Sequence, residues 1–156
     1  MHRKASFSRC KTYRYQLSRE WDAQLPKVSF IGLNPSTADA YQDDPTIRRC
    51  IGFAKDWGYG GLEIVNLFAF RTPYPEALKQ AENPVGPRNR YYLRKAIQQT
   101  ELQVAIWGND GTYLNQAAKT IKLFTHLHAI RVNQSGEPAH PLYLPKHLKP
   151  FLWQES

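Results

Sequence analysis

The chain has 156 residues, the size of one domain, and at 42% hydrophobic and 13% aromatic residues it can bury a core without disulfides or a metal. No run approaches the about 18 apolar residues of a membrane span, and Met1-His2-Arg3-Lys4 leads into polar sequence rather than the apolar stretch of a secretory leader, so a cytoplasmic protein with one domain over residues 1–156 is expected. Lys and Arg number 21 against 13 Asp and Glu, a net charge of +8 that fits a polyanionic partner, nucleic acid or a nucleotide, with plain solubility as the other reading.

Tyr13, Tyr15 and Leu17 alternate with Arg14, Gln16 and Ser18, and this period of two predicts a strand or hairpin over residues 7–21. Residues 27–33 are a short apolar run that reads as a buried strand and ends at Gly32-Leu33-Asn34-Pro35. Asp44-Pro45 then opens a helix, with Asp as N-cap and Pro at the first helical position. Ile47, Cys50, Ile51, Ala54 and Trp57 follow at helical spacing until Gly58 and Gly60-Gly61 stop it. Cys50 lies on that apolar stripe, Cys10 stands far from it, and the absence of close cysteine pairs argues against zinc and for a reduced compartment.

Residues 62–67 read as a second strand, and Pro73, Pro75, Pro84 and Pro87 mark a loop-rich passage with room for one short helix. Residues 88–100 form a second amphipathic helix with Leu93, Ala96 and Ile97 inward. Residues 102–107 are a third strand closed by Gly108-Asn109-Asp110-Gly111, residues 113–124 a third helix and residues 127–132 a fourth strand. A turn at Ser135-Gly136 leads into a Pro-rich tail. Strands alternating with helices predict a single α/β domain, a parallel sheet with helices on both faces and right-handed crossovers. Such sheets bind ligands beyond the carboxyl ends of their strands.

The unusual residues gather at those ends. Asn34 brings a carboxamide able to hold a water or a base edge, Pro35 stiffens its turn, and Ser36 or Thr37 can donate to a phosphate. The same residues also read as a turn and helix cap. Asn66 interrupts the apolar run Ile64-Val65-Asn66-Leu67-Phe68, where a carboxamide costs free energy unless its hydrogen bonds are met. Its amide can read a pyrimidine edge with one donor and one acceptor; a satisfied strand-end Asn is the plainer alternative. Phe68, Phe70, Tyr74 and Trp107 are candidate stacking surfaces for a base, or simply core. His140 sits in a loop between prolines, off any apolar stripe, whereas His128 reads as structural or exposed. Asp39, Asp43 and Asp44 read as loop and cap residues rather than a metal site. Arg48, Arg49 and Arg71 are candidate phosphate contacts, with a solvated face as the alternative.

From YRYQLSREWD through GLNPSTAD, DDPTIRRC, WGYGG, VNLFAFR and HPLYLP the chain resembles the domain-of-unknown-function family 1643, a bacterial and phage family without an established activity. More distantly, the motif order resembles the uracil-DNA glycosylase superfamily. That resemblance implies a three-layer α/β/α sandwich with a central four-stranded parallel sheet, here preceded by the N-terminal strand or hairpin. It gives Asn34 the attacking water, Asn66 the base, and His140 the charge on the departing base. Ala105-Ile106-Trp107-Gly108 resembles the strand ending in Trp-Gly, and Leu144, four positions after His140, becomes the wedge that fills the gap left by a flipped base. Ser36 stands where the mismatch-specific and single-strand-selective branches of that superfamily, which carry an Asn-Pro like Asn34-Pro35, have Gly; Leu142 replaces a small polar residue, and residues 39–44 are an insertion in the first loop. Two cysteines cannot carry the four-cysteine iron–sulfur cluster of some branches, and no cofactor is implied.

The expected function is a nucleobase-recognising N-glycosidic hydrolase, DNA glycosylase-like, acting on nucleic acid, with DNA as the first candidate. Asn34 and His140 are its candidate catalytic residues. Asn66, Pro35, Ser36, Thr37, Phe68, Trp107 and Gly108 are the candidate base and substrate contacts. Leu144, Arg48, Arg49 and Arg71 are the candidate nucleic-acid contacts. A non-catalytic module that binds nucleic acid or a modified nucleotide, and an enzyme acting on free nucleotides, are the alternatives.

Overall fold

The computed structural model describes residues 1–156. Its strands are β1 (His2–Phe7), β2 (Arg14–Glu20), β3 (Lys27–Gly32), β4 (Gly61–Asn66), β5 (Leu102–Ala105), β6 (His126–Ala129) and β7 (Phe151–Glu155), and its α-helices are α1 (Pro45–Asp56), α2 (Asn89–Gln99) and α3 (Gln116–Ile121). The strands form one seven-stranded mixed sheet in the order β1-β2-β4-β3-β5-β6-β7. The four apolar runs pair in parallel, β4 with β3, β3 with β5 and β5 with β6. The expected four-stranded sheet is therefore corrected to a larger one. The antiparallel hairpin β1–β2 joins β4 at one side, and β7 joins β6 at the other.

Alternation along each central strand builds two cores. Phe30, Ile64 and Val104 face α1, where they meet Ile47, Cys50, Phe53 and Ala54. Their neighbours Ile31, Val65 and Ala105 face the other way, toward Leu93 and Ala96 of α2 and Ala117 of α3. Helices thus cover both faces, as the βα alternation requires. Asp44 caps α1 as expected, accepting from the Ile47 N–H at 2.9 Å, with Pro45 at the start of the helix. Such a cap is worth about 1 kcal/mol.

Two elements differ from expectation. The third helix begins later than residue 113: a 3-10 segment Asn109–Asn115 precedes α3, and Leu114 and Asn115 take φ of 54° and 57° between them. Gly111 lies so close to the Trp107 indole that a Cβ there would come within 2.3 Å, so the chain turns tightly before the helix can start. The Pro-rich tail ends in β7, whose Trp153 packs edge-on against Trp107 with ring centroids 5.7 Å apart. The short passage after Pro73 holds a 3-10 helix, Pro75–Gln80. No helix is long and apolar enough to cross a membrane.

Candidate active site

A cleft of about 320 Å³ opens at the carboxyl ends of the parallel strands. Asn34, Ser36, Asn66, Trp107, Gly108 and His140 all line it, the first five from the ends of β3, β4 and β5 and the last from the loop that follows β6. The segments are tied to one another by backbone hydrogen bonds: Thr72 N–H to the Pro35 carbonyl, and Gly108 N–H to the Pro138 carbonyl, each at 2.9 Å.

Asn34 is oriented by its own loop. Its Nδ2 donates to the carbonyls of Thr72 at 2.9 Å and Pro35 at 3.1 Å, which occupies both amide hydrogens and leaves Oδ1 as a free acceptor. Pro35 is itself buried and serves through that carbonyl rather than by touching the cleft.

Asn66 ends β4 opposite Gly32 in the parallel register. A Cβ at position 32 would lie 2.7 Å from Asn66 Oδ1, so glycine makes the space that the carboxamide fills. The Asn66 side chain is only 3% exposed, and its Nδ2 is buried without a hydrogen-bond partner. A buried unpaired donor costs about 1–3 kcal/mol, so the fold tolerates a group that a ligand can satisfy. Buried Asn89 holds the strand end from below, donating to the carbonyls of Asn66 at 2.8 Å and Leu67 at 3.2 Å.

His140 stands at the cleft mouth. Its Nδ1 accepts from the Leu142 N–H at 3.3 Å, which puts the proton of the neutral ring on Nε2. Although the residue is exposed at the mouth, desolvation on its cleft side lowers its pKa from the ordinary value, against a weaker upward pull from Asp44, and this favours the neutral ring with Nε2–H as donor. Gly108 adopts φ +74°, a conformation that favours glycine, where the chain leaves β5. Trp107 is 1% exposed and fixed by its Nε1–H to Glu137 Oε1 at 3.2 Å, so it forms a wall of the cleft rather than a free stacking face.

Several expected contacts lie elsewhere. Phe68 is fully buried against Tyr113 and does not reach the cleft. Thr37 is exposed outside it. Arg71 is a loop clamp: its guanidinium donates to the carbonyls of Ser36 at 3.1 Å and Thr37 at 3.3 Å and stacks over Phe7. Leu144 is corrected most sharply. It is 7% exposed and belongs to the α1-side core, so it cannot enter a duplex without leaving that core; its neighbour Tyr143 is 94% exposed. Arg48 and Arg49 line a separate groove on α1 with Lys146, and Arg49 reaches the Pro141 carbonyl at 3.4 Å beside His140.

Of the cleft residues that the sequence did not single out, one is charged and deeply buried. Arg14, at the start of β2, lines the cleft and is 2% exposed. Its place in the alternation assigned it to a polar face, but β2 is buried on both faces at its start, where the Arg14 backbone N–H meets the Ala69 carbonyl and its Nη1 the Ala38 carbonyl.

The chain matches the family model described as "protein of unknown function (DUF1643)" over residues 14–142. It belongs to that family. No curated protein and no solved structure matches it. The match begins at Arg14 and ends just past His140-Pro141, so it takes in every residue of the cleft described above.

Proposed function

We propose that this member of the family is a nucleobase-recognising N-glycosidic hydrolase that acts on nucleic acid. Its support is the hydrogen-bonding complement of one cleft: a free acceptor at Asn34 Oδ1, an unpartnered buried donor at Asn66 Nδ2, and a neutral Nε2–H donor at His140. The four parallel strands at the centre of the sheet, and a cleft at their carboxyl ends, support the likeness to the uracil-DNA glycosylase superfamily.

An N-glycoside breaks through an oxocarbenium-like sugar. The C1′–N bond opens with its electrons going to the base, water adds its oxygen to C1′, and the proton this water releases neutralises the base anion, directly or through solvent. This chemistry needs a held water, donors for the base anion and a site that excludes bulk solvent, rather than a strong acid. Asn34 Oδ1 accepts a hydrogen bond from the water. Asn66 pairs with the base edge, and His140 Nε2–H donates to the oxygen that gains charge as the base leaves. Exposed Tyr143 and Tyr74 flank the cleft residues His140 and Pro73 in sequence and are the aromatic surfaces free to stack on neighbouring bases. Arg48, Arg49 and Lys146 offer a basic track for the phosphate backbone.

The test is base release from labelled oligonucleotides carrying uracil, hypoxanthine, mismatched thymine or hypermodified pyrimidines, single- and double-stranded. Release is expected from the wild type and a loss of about 100-fold or more from Asn34→Ala, the size typical of removing a positioned catalytic group. Salt-sensitive binding without any release would instead identify a binding module.

A further inference from the structure

Arg14 is a buried cation that the fold leaves incompletely paired. Nη1 donates to the Ala38 carbonyl at 3.0 Å, while Nε is buried with no partner. No carboxylate lies within ion-pair distance of it. Asp44, an acidic residue of the same cleft, pulls on Arg14 only through space, and its Oδ1 is engaged in capping α1. Burial depresses the guanidinium pKa to about 10, which leaves it charged at neutral pH. A buried, charged, partly unpaired guanidinium is costly to hold in a fold. It becomes favourable when an anion completes its hydrogen bonds, because guanidinium matches carboxylate and phosphate oxygens in geometry and charge.

Asn66 supplies the second observation. Its Nδ2 is likewise a buried donor without a partner, and it lines the same cleft. Two independent unpaired donors in one cavity call for a ligand rich in acceptors. We infer that the cleft takes a pyrimidine bearing an anionic group, with Asn66 on the ring edge and Arg14 on a carboxylate or phosphate oxygen. The pyrimidine half rests on the function proposed above; the anion half rests on Arg14 alone.

The experiment is calorimetric titration of the full chain with uracil, 5-carboxyuracil, deoxyuridine, deoxyuridine 5′-monophosphate and inorganic phosphate. Wild type, Arg14→Met and Arg14→Lys are compared. The anionic member of a pair is expected to bind about tenfold or more tighter than its neutral partner, the worth of a hydrogen bond to a charged group. A preference for 5-carboxyuracil over uracil identifies a carboxylate, and one for the monophosphate over deoxyuridine identifies a phosphate. Arg14→Met is expected to erase the preference while neutral binding persists. Arg14→Lys, which keeps the charge without the fork, is expected to retain part of it and carries the test if the methionine variant does not fold.

Equal affinity for charged and neutral partners in the wild type, or a preference that survives both substitutions, would overturn the anion site. So would a failure of every probe to bind. Arg14-dependent binding of inorganic phosphate, without binding of uracil or deoxyuridine, would keep the anion site and remove the pyrimidine reading.

Discussion

Arg14 and Arg19 stand on the same strand, five residues apart, and both are buried at 2% exposure or less. Every nitrogen of the Arg19 guanidinium has a partner. Its Nε pairs with Asp43 at 2.9 Å, Nη1 donates to the Ser18 carbonyl at 2.9 Å, and Nη2 donates to the carbonyls of Asp39 at 2.6 Å and Gln42 at 3.3 Å. It fastens the loop before α1 to the sheet. Arg14 has one carbonyl and an empty Nε. Equal burial therefore conceals opposite roles. A structural arginine is recognised by a full set of partners, and an arginine kept for a ligand by the lack of them.

Removal should separate the two most strongly. Arg19→Met leaves the Asp43 carboxylate and three carbonyls without their cation, and Arg3, at 3.3 Å from Asp43 on the exposed side, recovers only part of the loss. A destabilisation of about 3–5 kcal/mol in urea unfolding is expected, as for other broken buried pairs. Arg14→Met replaces an unpaired buried charge with an apolar chain of similar length, and its stability should stay within about 1 kcal/mol of the wild type. Equal losses at the two positions would make Arg14 a structural residue as well.

Much of the architecture was legible because the central strands and α1 carry unambiguous patterns. The apolar runs, the Asp44-Pro45 start and the glycines after Trp57 mark physical events that depend on neighbours in sequence. The additions at the sheet edges were not legible for the same reason. β7 is short, half exposed and preceded by Pro145 and Pro150, so nothing local distinguishes it from a loop until β6 offers hydrogen bonds. At the cleft, Asn34, Asn66 and His140 stood out as polar residues where apolar or turn residues were expected. Arg14 did not, because an arginine in an alternating strand looks solvated. Loops distant in sequence bury it, through the carbonyls of Ala69 and Ala38. Leu144 erred in the other direction: a position counted from His140 carries no information on which way the side chain turns.

A smaller effect is expected where the second unpaired donor is held. Gly32→Ala would drive a methyl group to 2.7 Å from Asn66 Oδ1, and the carboxamide must turn or move away. Overpacking of this kind costs about 1–3 kcal/mol. Affinity for uracil should fall at least about tenfold, while Arg14-dependent binding of phosphate changes little. A loss of phosphate binding of the same size would mean that the two donors act as one unit, and the comparison with Arg19 would then apply to the pair rather than to Arg14.

The mildest test asks whether any unpaired buried group marks a ligand. Glu63, on β4 outside the cleft, is 4% exposed, with Oε1 accepting from Gln16 Nε2 at 3.0 Å and Oε2 left without a partner. Unlike a guanidinium, a carboxyl can relieve its burial by taking up a proton, and burial does raise its pKa, against smaller downward pulls from Lys27, Gln16 and Lys95. A raised folded-state pKa means that the folded protein binds the proton more tightly than the unfolded chain. The stability this confers is complete below the ordinary carboxylate range and is lost as pH rises through the folded-state value. Glu63→Gln keeps an acceptor for Gln16 without the charge. It should therefore be more stable than the wild type at pH 8, by about 1 kcal/mol, the scale of one unsatisfied buried polar group. The advantage should vanish near pH 4, which thermal unfolding at the two pH values would reveal. If the gain is the same at both, Glu63 is not titrating, and its unpaired oxygen belongs with Arg14 as a sign of a ligand rather than as a self-correcting defect.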